Sequence, residues 1–118
     1  MIAAAIFLCA VASITDGDTL RCADGTRIRL AAIDTAEMPG ACQPGRQCVP
    51  GDPHAARRQL QSLAAGRTLR CERTGTSYNR VAAFCSARGV DLSCAMLRSG
   101  HAFYVARYDR GGRLRRCR

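Results

Sequence analysis

At positions 14–20 the chain reads Ile-Thr-Asp-Gly-Asp-Thr-Leu, and this stretch decides the fold. Asp-Gly between apolar runs is a strong hairpin signal, because the two central residues of such a turn take positive φ. The segment from Ile14 to Cys22 is therefore predicted to form a strand, a tight turn and a second strand. Asp24-Gly25 repeats the signal, so a third strand is predicted from Arg27 to Ile33.

This predicted three-stranded meander concentrates acidic side chains in a basic chain. Five of the nine acidic residues fall between Asp16 and Glu37, although the net charge is +9. Asp18, at the start of the second strand, is expected near Asp34 and Glu37, at the end of the third. Carboxylate oxygens suit Ca²⁺ or Mg²⁺ rather than Zn²⁺, so Asp18 and Asp34 are candidate metal ligands. The alternative is that the acidic residues only form a turn and a solvated strand end.

Glu37 and Arg29 extend this site toward phosphate chemistry. Glu37 follows Asp34 by three residues and could orient or deprotonate a water beside a metal ion. Alternation along the third strand places Arg29 and Ile33 on one face, with Asp34 at the strand end. An arginine beside a metal–carboxylate site fits phosphate binding and stabilisation of transition-state charge.

The positive charge of the chain comes from arginine alone, with 18 arginines and no lysine. Such a surface attracts polyanions, and guanidinium groups bind phosphate bidentately. The alternative is coding bias in a GC-rich genome, which also produces chains rich in Arg and Ala. A Ser-His-Asp hydrolase is not supported, because the two histidines accompany no serine motif.

Eight cysteines in 118 residues predict a disulfide framework and an oxidising, extracytoplasmic location. The alternative, a structural zinc site, lacks any Cys-x-x-Cys pair.

The apolar segment 1–12 has two interpretations. Ala10-Val11-Ala12 resembles a signal-peptidase site, but cleavage there would remove Cys9. We favour a long, buried first strand from Ile6 to Thr15. The segment is too short to span a bilayer, so no membrane association is expected.

The rest of the chain alternates loop, helix and strand signals. A Pro/Gly-rich loop is predicted over 38–52, and a helix begins at Pro53 with Asp52 as its cap and Gly66 as its stop. Two more strands are predicted at Thr68–Glu72 and Arg80–Cys85, joined by a turn over 73–79. A second helix follows its cap Asp91 and ends at Gly100, with an inward stripe of Leu92, Ala95, Met96 and Ser99.

This order predicts one domain over 1–118, of class α+β and mainly β. Its expected architecture is a five-stranded OB-fold barrel with two to three helices, stapled by disulfides. Residues 109–118 are expected to form a solvated basic tail that contacts phosphate at most nonspecifically.

The sequence also resembles the staphylococcal nuclease (thermonuclease-like) family, in particular a cysteine-rich secreted bacterial subgroup. Four blocks carry the resemblance, in family order and spacing over roughly residues 10–108: Thr15-Asp16-Gly17-Asp18-Thr19-Leu20, Arg29-Leu30 through Ile33-Asp34-Thr35-Ala36-Glu37, Tyr78-Asn79-Arg80, and Asp91-Leu92 to Leu97 followed by Gly100-His101-Ala102. The first two blocks together are quite specific. The family's fold is the five-stranded OB barrel.

The resemblance implies calcium-dependent endonucleolytic hydrolysis of phosphodiester bonds in DNA and RNA. Asp18, Asp34 and the Thr35 carbonyl correspond to calcium ligands. Glu37 corresponds to the residue that activates or positions the attacking water. Arg29 and Arg80 correspond to the arginines that stabilise the pentacoordinate transition state. Two tyrosines correspond to residues near the substrate: Tyr78 and Tyr108.

Three departures from the family pattern affect the expected rate and substrate fit. Ala36 replaces a proline in the turn that presents Glu37. Asn79 replaces a glycine, which is tolerable because Asn also accepts positive φ. The chain ends soon after Tyr108, so the third helix of the family is expected to be missing or replaced by a disulfide-tied tail.

We expect the cysteines to pair in sequence order, as Cys9–Cys22 and Cys71–Cys85 across hairpins, Cys42–Cys48 within the loop, and Cys94–Cys117 from the last helix to the tail.

The expected partners are single-stranded DNA and RNA, bound by a monomer. One alternative is an OB-fold module that binds single-stranded nucleic acid without cutting it. Another is a secreted structural or inhibitor domain.

Overall fold

A computed structural model describes residues 5–117 of the chain. The elements are, in chain order, β1 (Ile6–Asp16), β2 (Thr19–Cys22), β3 (Arg27–Leu30), β4 (Ile33–Asp34), α1 (Pro53–Ala64), β5 (Thr68–Ser77), β6 (Arg80–Ala87), β7 (Val90–Asp91), α2 (Leu92–Arg98), β8 (Phe103–Tyr104) and the 3₁₀ turns Ala106–Tyr108 and Arg115–Cys117. Within this described range, no helix is long and apolar enough to cross a membrane.

Five strands close into a barrel, as the sequence predicts. They pair in the order β3-β2-β1-β5-β6, and β3 pairs in parallel with β6 to complete the ring. Helix α1 lies between the third and fourth barrel strands in the chain, which is the expected OB-type order. The barrel interior is filled by fully buried aliphatic side chains such as Leu20, Ile28, Leu30 and Leu69. The α+β, mainly β fold class is therefore confirmed.

The first strand has the predicted bounds to within one residue but not the predicted burial. Only Cys9 and Ile14 are buried along β1, whereas Ile6 is 53% and Leu8 is 69% exposed. One face of this strand lines the barrel and the other faces solvent, so a continuous apolar run does not require burial on both faces. Residues 1–4 of the apolar segment 1–12, and Arg118 of the tail, lie outside the described residues.

The predicted third strand is interrupted, which corrects the expectation of an unbroken strand from Arg27 to Ile33. Buried Ala32 has a φ of 63°, and its carbonyl accepts from the Val105 amide at 2.9 Å. The chain therefore leaves the barrel after Leu30 and forms the short strand β4, which pairs with β8. The simple alternation that relates Arg29 to Ile33 does not hold across this break.

The second hairpin is longer than predicted. Strand β5 ends at Ser77 and strand β6 begins at Arg80. The turn between them therefore consists of two residues rather than the seven of 73–79. The residue with positive φ is Tyr78, at 58°, and not Asn79. A positive φ at Asn79 is therefore not found, whereas its correspondence to a glycine of the family stays a prediction.

Helix α1 forms as predicted, because the Asp52 carboxylate accepts from the amides of His54 and Ala55 at 3.0 and 3.2 Å. Its buried residues are Ala56, Leu60 and Ala64, at helical spacing on one face. Helix α2 is capped by Asp91, as predicted. Its buried residues are Leu92, Ser93, Cys94 and Met96, which confirms Leu92 and Met96 of the expected inward stripe, whereas Ala95 and Ser99 are only half-buried.

The segment after Tyr108 is anchored by buried Asp109, Leu114 and Cys117, so the expectation of a solvated tail holds only for its arginines, of which Arg110, Arg113, Arg115 and Arg116 are exposed. Asp109 is buried and accepts from the Tyr104 hydroxyl at 2.6 Å and from the Leu114 amide at 2.9 Å. Arg113 pairs with Glu72 at 2.6 Å, so it is not a free basic residue either.

All four disulfides pair as predicted: Cys9–Cys22, Cys42–Cys48, Cys71–Cys85 and Cys94–Cys117. Three of them have buried cysteines and connect barrel strands to each other or the tail to α2. The fourth ties a loop of exposed residues. Four disulfides indicate an oxidising, extracytoplasmic location.

Candidate active site

The turn between β1 and β2 is held in place by a close approach at Gly17. This glycine does not take the positive φ that the Asp-Gly signal predicts. A Cβ on Gly17 would lie 2.8 Å from the Ala56 Cβ of α1 and 2.8 Å from Thr35 Oγ1. Glycine is required here because the turn packs directly against the helix and the chain after β4. This contact fixes where Asp18 meets Thr35.

Asp18 is a buried carboxylate, only 7% exposed. One of its oxygens accepts from the Thr19 hydroxyl at 2.9 Å. The other accepts from the Thr35 amide at 3.1 Å and from the Thr35 hydroxyl at 3.2 Å. These bonds fix the orientation of the carboxylate, and they place Thr35 directly beside it.

Arg29 bridges the two predicted metal carboxylates. Its Nη1 lies 3.3 Å from Asp18 Oδ2, and its Nη2 donates to Asp34 Oδ1. Nη1 also donates to the carbonyls of Leu30 and Ile33, at 3.1 and 2.8 Å. The break after Leu30 brings the Ile33 carbonyl within reach of the guanidinium, so the interrupted strand is what orients Arg29.

Arg80 reaches the same site from the first position of β6. Its Nη1 donates to Thr19 Oγ1 at 3.2 Å, and its Nε and Nη2 donate to Ser77 at 3.2 and 3.1 Å. Thr19 thus accepts from Arg80 and donates to Asp18. The resulting continuous network is called the carboxylate–arginine cluster and consists of Asp18, Thr19, Arg29, Asp34 and Arg80.

Asp16 adds a third carboxyl group beside the cluster. Burial, followed by the charge of Asp18, raises the pKa of Asp16 from 3.8 to about 7. Its Oδ1 also accepts from the Asp18 amide at 3.0 Å. The raised pKa reflects mainly the burial of this carboxyl group, with the charge of Asp18 adding to it and the charge of Arg29 opposing it.

Glu37 is not in the carboxylate–arginine cluster. Its carboxylate instead pairs with Arg46 of the 38–52 loop at 2.8 Å, and no contact with Arg29 or Arg80 occurs among the described residues. The Glu37 side chain is 21% exposed and that of Arg46 is 57% exposed. The role of Glu37 in activating water stays a prediction.

The two predicted substrate tyrosines are both exposed. Tyr78 is 94% exposed at the tip of the second hairpin, with the Arg80 guanidinium 5.9 Å from its ring centre. Tyr108 is 60% exposed and lies under Arg107 at 4.9 Å. Neither tyrosine contacts the cluster's carboxylates within the described structure.

The donor chemistry of the cluster fits a hard cation. Asp18 and Asp34 offer carboxylate oxygens on either side of one guanidinium, and calcium takes such oxygens together with carbonyls and water. Over residues 5–117, however, no three His, Cys, Asp or Glu side chains group closely enough to hold a metal. A bound ion would therefore take its remaining ligands from the backbone and from water.

Three residues near the site lack a role in the sequence-based prediction. Thr19 lies within the quoted stretch, and pairing with Arg29 across β2 and β3 could have identified it. The sequence indicates only a turn residue at Asp16, because burial is not visible in the local pattern. Arg46 lies in a loop, where no periodicity indicates which side chain it meets.

No protein-family model matches the chain, and no curated protein matches it. The chemistry of the cluster therefore carries the functional assignment.

Proposed function

We propose that this protein is a calcium-dependent endonuclease that hydrolyses phosphodiester bonds in DNA and RNA, as the thermonuclease-like resemblance implies. The observation that supports this proposal is the carboxylate–arginine cluster. Two arginines from different strands and two carboxylates converge on one edge of an OB-type barrel. Binding alone does not need carboxylates that repel phosphate.

Arg29 and Arg80 are proposed to stabilise the negative charge that develops on the phosphate. Arg29 is fixed by two backbone carbonyls and Arg80 by Ser77, so neither needs to be ordered when the reaction occurs. Donors that are fixed in advance lower the barrier because they need little reorganisation. To bind phosphate, Arg29 would exchange part of its pairing with the carboxylates, while its two bonds to backbone carbonyls keep the guanidinium in place.

Asp18, Asp34 and the Thr35 carbonyl are proposed to hold the calcium ion. When bound, calcium would polarise the phosphodiester and favour deprotonation of a nearby water. The hydrogen bonds from Thr19 and Thr35 would keep the Asp18 carboxylate in position.

Glu37 is proposed to accept the proton of the attacking water. The water oxygen forms a bond to phosphorus while one ester P–O bond breaks, and the leaving oxygen takes a proton from solvent. Glu37 can act in this way only after its ion pair with Arg46 opens. Residues 38–52 contain no helix or strand, so this pair is held by a loop and not by the barrel.

The pairing of Glu37 with Arg46 also supports a second candidate function. If Glu37 stays paired, the same barrel would bind single-stranded nucleic acid without cutting it. Secretion as a monomer is proposed for either function, in line with the four disulfides.

The test is cleavage of single-stranded DNA and RNA by the oxidised protein, with calcium or with chelator. We expect cleavage only with calcium. Asp18→Asn and Asp34→Asn should each raise the calcium concentration for half-maximal activity by at least about tenfold. Asp24→Asn is the matched control, because Asp24 is an exposed carboxylate that accepts from the Thr26 amide in another turn.

Two outcomes would contradict the proposal. Calcium affinity by titration calorimetry that is unchanged in both variants would reduce Asp18 and Asp34 to structural residues. Binding of the oligonucleotide without any cleavage would favour the binding module. Asp18 is buried, so thermal unfolding of Asp18→Asn must be measured as well, whereas the Asp34 side chain is 44% exposed and its variant gives the cleaner result.

A further inference from the structure

Two arginines face each other across β2 and β3, beside the carboxylate–arginine cluster. Arg21 and Arg27 are direct partners in the antiparallel register, and both are exposed. Like charges placed directly opposite in a sheet are destabilising. Neither arginine has an acidic partner among residues 5–117, and the Arg27 side chain reaches only the Asn79 amide oxygen, at 3.2 Å.

Arg80 continues this pair onto a third strand. Strands β3 and β6 run parallel with Ile28 beside Val81, so the same register places Arg27 next to Arg80. The contact of Arg27 with Asn79 agrees with that placement. Neighbouring strands are about 4.8 Å apart, so the three side chains follow one line across the sheet. This line, Arg21–Arg27–Arg80, is called the arginine row.

The arginine row lies on the same face of the sheet as the cluster. Thr19 and Arg29 are direct partners two pairs further along β2 and β3. The intervening pair, Leu20 and Ile28, points to the buried face. Arg80 belongs to both groups, because its guanidinium also reaches Thr19. A phosphate held by Arg80 would therefore have further arginines along the row toward β2.

We propose that the arginine row binds the sugar–phosphate backbone of a single-stranded polynucleotide on one side of the phosphate held by the cluster. This proposal rests on the proposed function and adds Arg21 and Arg27 as substrate-binding residues. The repulsion between them is offset when phosphates bind, since the barrel supplies no counter-charge of its own.

Tyr78 favours a single strand over a duplex as the occupant. It is an aromatic residue with positive φ, a conformation that is unfavourable for a bulky side chain, and it is 94% exposed. It stands next to Asn79, which Arg27 contacts, at the Arg80 end of the row. An exposed aromatic ring beside a row of cations suits an unpaired base, whereas the bases of a duplex are already stacked.

The test measures binding of a fluorescent oligothymidylate by anisotropy over a range of salt concentrations, with chelator present to exclude calcium-dependent cleavage. The variant is Arg21→Ala/Arg27→Ala. The matched control is Arg58→Ala/Arg110→Ala, which removes two exposed arginines, one on α1 and one in the turn after Asp109. Each phosphate contact contributes about 0.7 to the slope of log affinity against log salt, so the row variant should lose about 1.4. Its affinity at low salt should fall on the order of tenfold, and the control should change by less than half as much.

The same variants separate binding from folding. Arg21→Ala/Arg27→Ala should melt at or above the temperature of the parent, because it relieves a like-charge pair. Arg21→Lys/Arg27→Lys should retain most of the salt slope, because it keeps the charge. A lower melting temperature together with lost binding would mean that the arginines are structural.

Several binding results would overturn the proposal. Equal losses in the row and control variants would assign binding to the general charge of the protein. An unchanged slope would remove the row from the interface, and equal dependence of a duplex probe on the row would exclude the single-strand assignment. Because the assay contains chelator, the row can succeed or fail independently of calcium-dependent cleavage.

Discussion

The carboxylate–arginine cluster and the loop that pairs with Glu37 differ in how firmly they hold their side chains. The side chains of the cluster come from strands β2, β3, β4 and β6 and from the turn before β2. They are hydrogen bonded to one another or to the backbone of these strands. Arg46 lies instead within the ring closed by Cys42–Cys48, and its pair with Glu37 is open to solvent on the arginine side. The other six cysteines of the chain are buried.

This difference indicates which part of the proposed reaction is ready before substrate binds. The groups that would stabilise charge are already oriented in the absence of ligand. The group that would accept the proton is engaged elsewhere, in an ion pair whose arginine is open to solvent, and exposed pairs contribute about 0–1 kcal/mol. Little free energy is therefore needed to release Glu37 when substrate or cation binds, whereas a change in the cluster removes side chains that hold one another in position.

The largest effect is expected from removing a cluster arginine. Arg29→Ala and Arg80→Ala should each lower kcat by an amount on the order of 3–5 kcal/mol in activation free energy, because both donors act on developing charge. The measurement is single-turnover cleavage of one single-stranded DNA. Arg58→Ala, on the exposed side of α1, is the control and should change binding only slightly.

The two arginines should also differ from each other. Arg29 is 17% exposed and offsets buried Asp18, so its loss should lower thermal stability as well as rate. Arg80 interacts with hydroxyl and carbonyl groups, so its loss should affect rate more than stability. If neither variant loses more activity than Arg58→Ala, the cluster is not catalytic.

Much of this site follows from the sequence because turns and alternation are local. The Asp-Gly signals place Asp18 and Asp34 at one edge, and the structure brings them to the same guanidinium. What the sequence does not reveal is the break after Leu30, since no glycine or proline marks it. Ala32 takes positive φ where the chain turns into β4, and β4 pairs with β8, a contact distant in sequence that the local pattern does not contain.

At Gly17 the sequence predicts the hairpin correctly, but the reason for the glycine differs from the predicted one. Asp-Gly predicts a hairpin through positive φ, but the glycine is needed because α1 and Thr35 approach it. That helix is distant in sequence, so its approach is invisible in the local pattern. The same limitation applies to Arg46, whose contact with Glu37 depends on how a disulfide-closed loop folds back.

An intermediate effect is expected at Asp16, on stability rather than on rate. Burial and the charge of Asp18 raise the pKa of Asp16 to about 7, so the folded protein binds this proton more tightly than the unfolded chain does. The contribution of Asp16 to stability is complete below pH 4 and is lost as the pH rises to about 7. In Asp16→Asn the side-chain amide oxygen can still accept the hydrogen bond from the Asp18 amide, and the negative charge of the carboxylate is removed.

Asp16→Asn should therefore match the parent near pH 4 and exceed it at pH 8, by on the order of 1–3 kcal/mol in the free energy of unfolding. Urea unfolding at both pH values measures the difference. Asp24→Asn is again the control, because that exposed carboxylate has a lowered pKa owing to the Thr26 amide and should show no gain at pH 8. A gain for Asp16→Asn that is the same at both pH values would mean that the charge is not its cause.

The smallest effect is expected from the loop. Arg46→Ala frees Glu37 from its one ion pair in the described structure, so calcium-dependent cleavage should become faster by up to about fivefold, the equivalent of about 1 kcal/mol for an exposed pair. Arg88→Ala removes an exposed arginine from the β6–β7 turn and serves as the charge control. The measurement is kcat at saturating oligonucleotide, where a small loss of phosphate binding does not obscure the result.

A double-mutant cycle isolates the contact between the two residues. Glu37→Gln should lower kcat while oligonucleotide affinity in chelator stays nearly unchanged, because it removes a base and not a phosphate contact. In that background Arg46→Ala should have no accelerating effect, since there is no longer a carboxylate to release. Acceleration that persists in Glu37→Gln would show that Arg46 acts through the substrate instead. A slower Arg46→Ala single variant would show that the ion pair holds Glu37 in its working position, and the contrast between a firm cluster and a restraining loop would then be wrong.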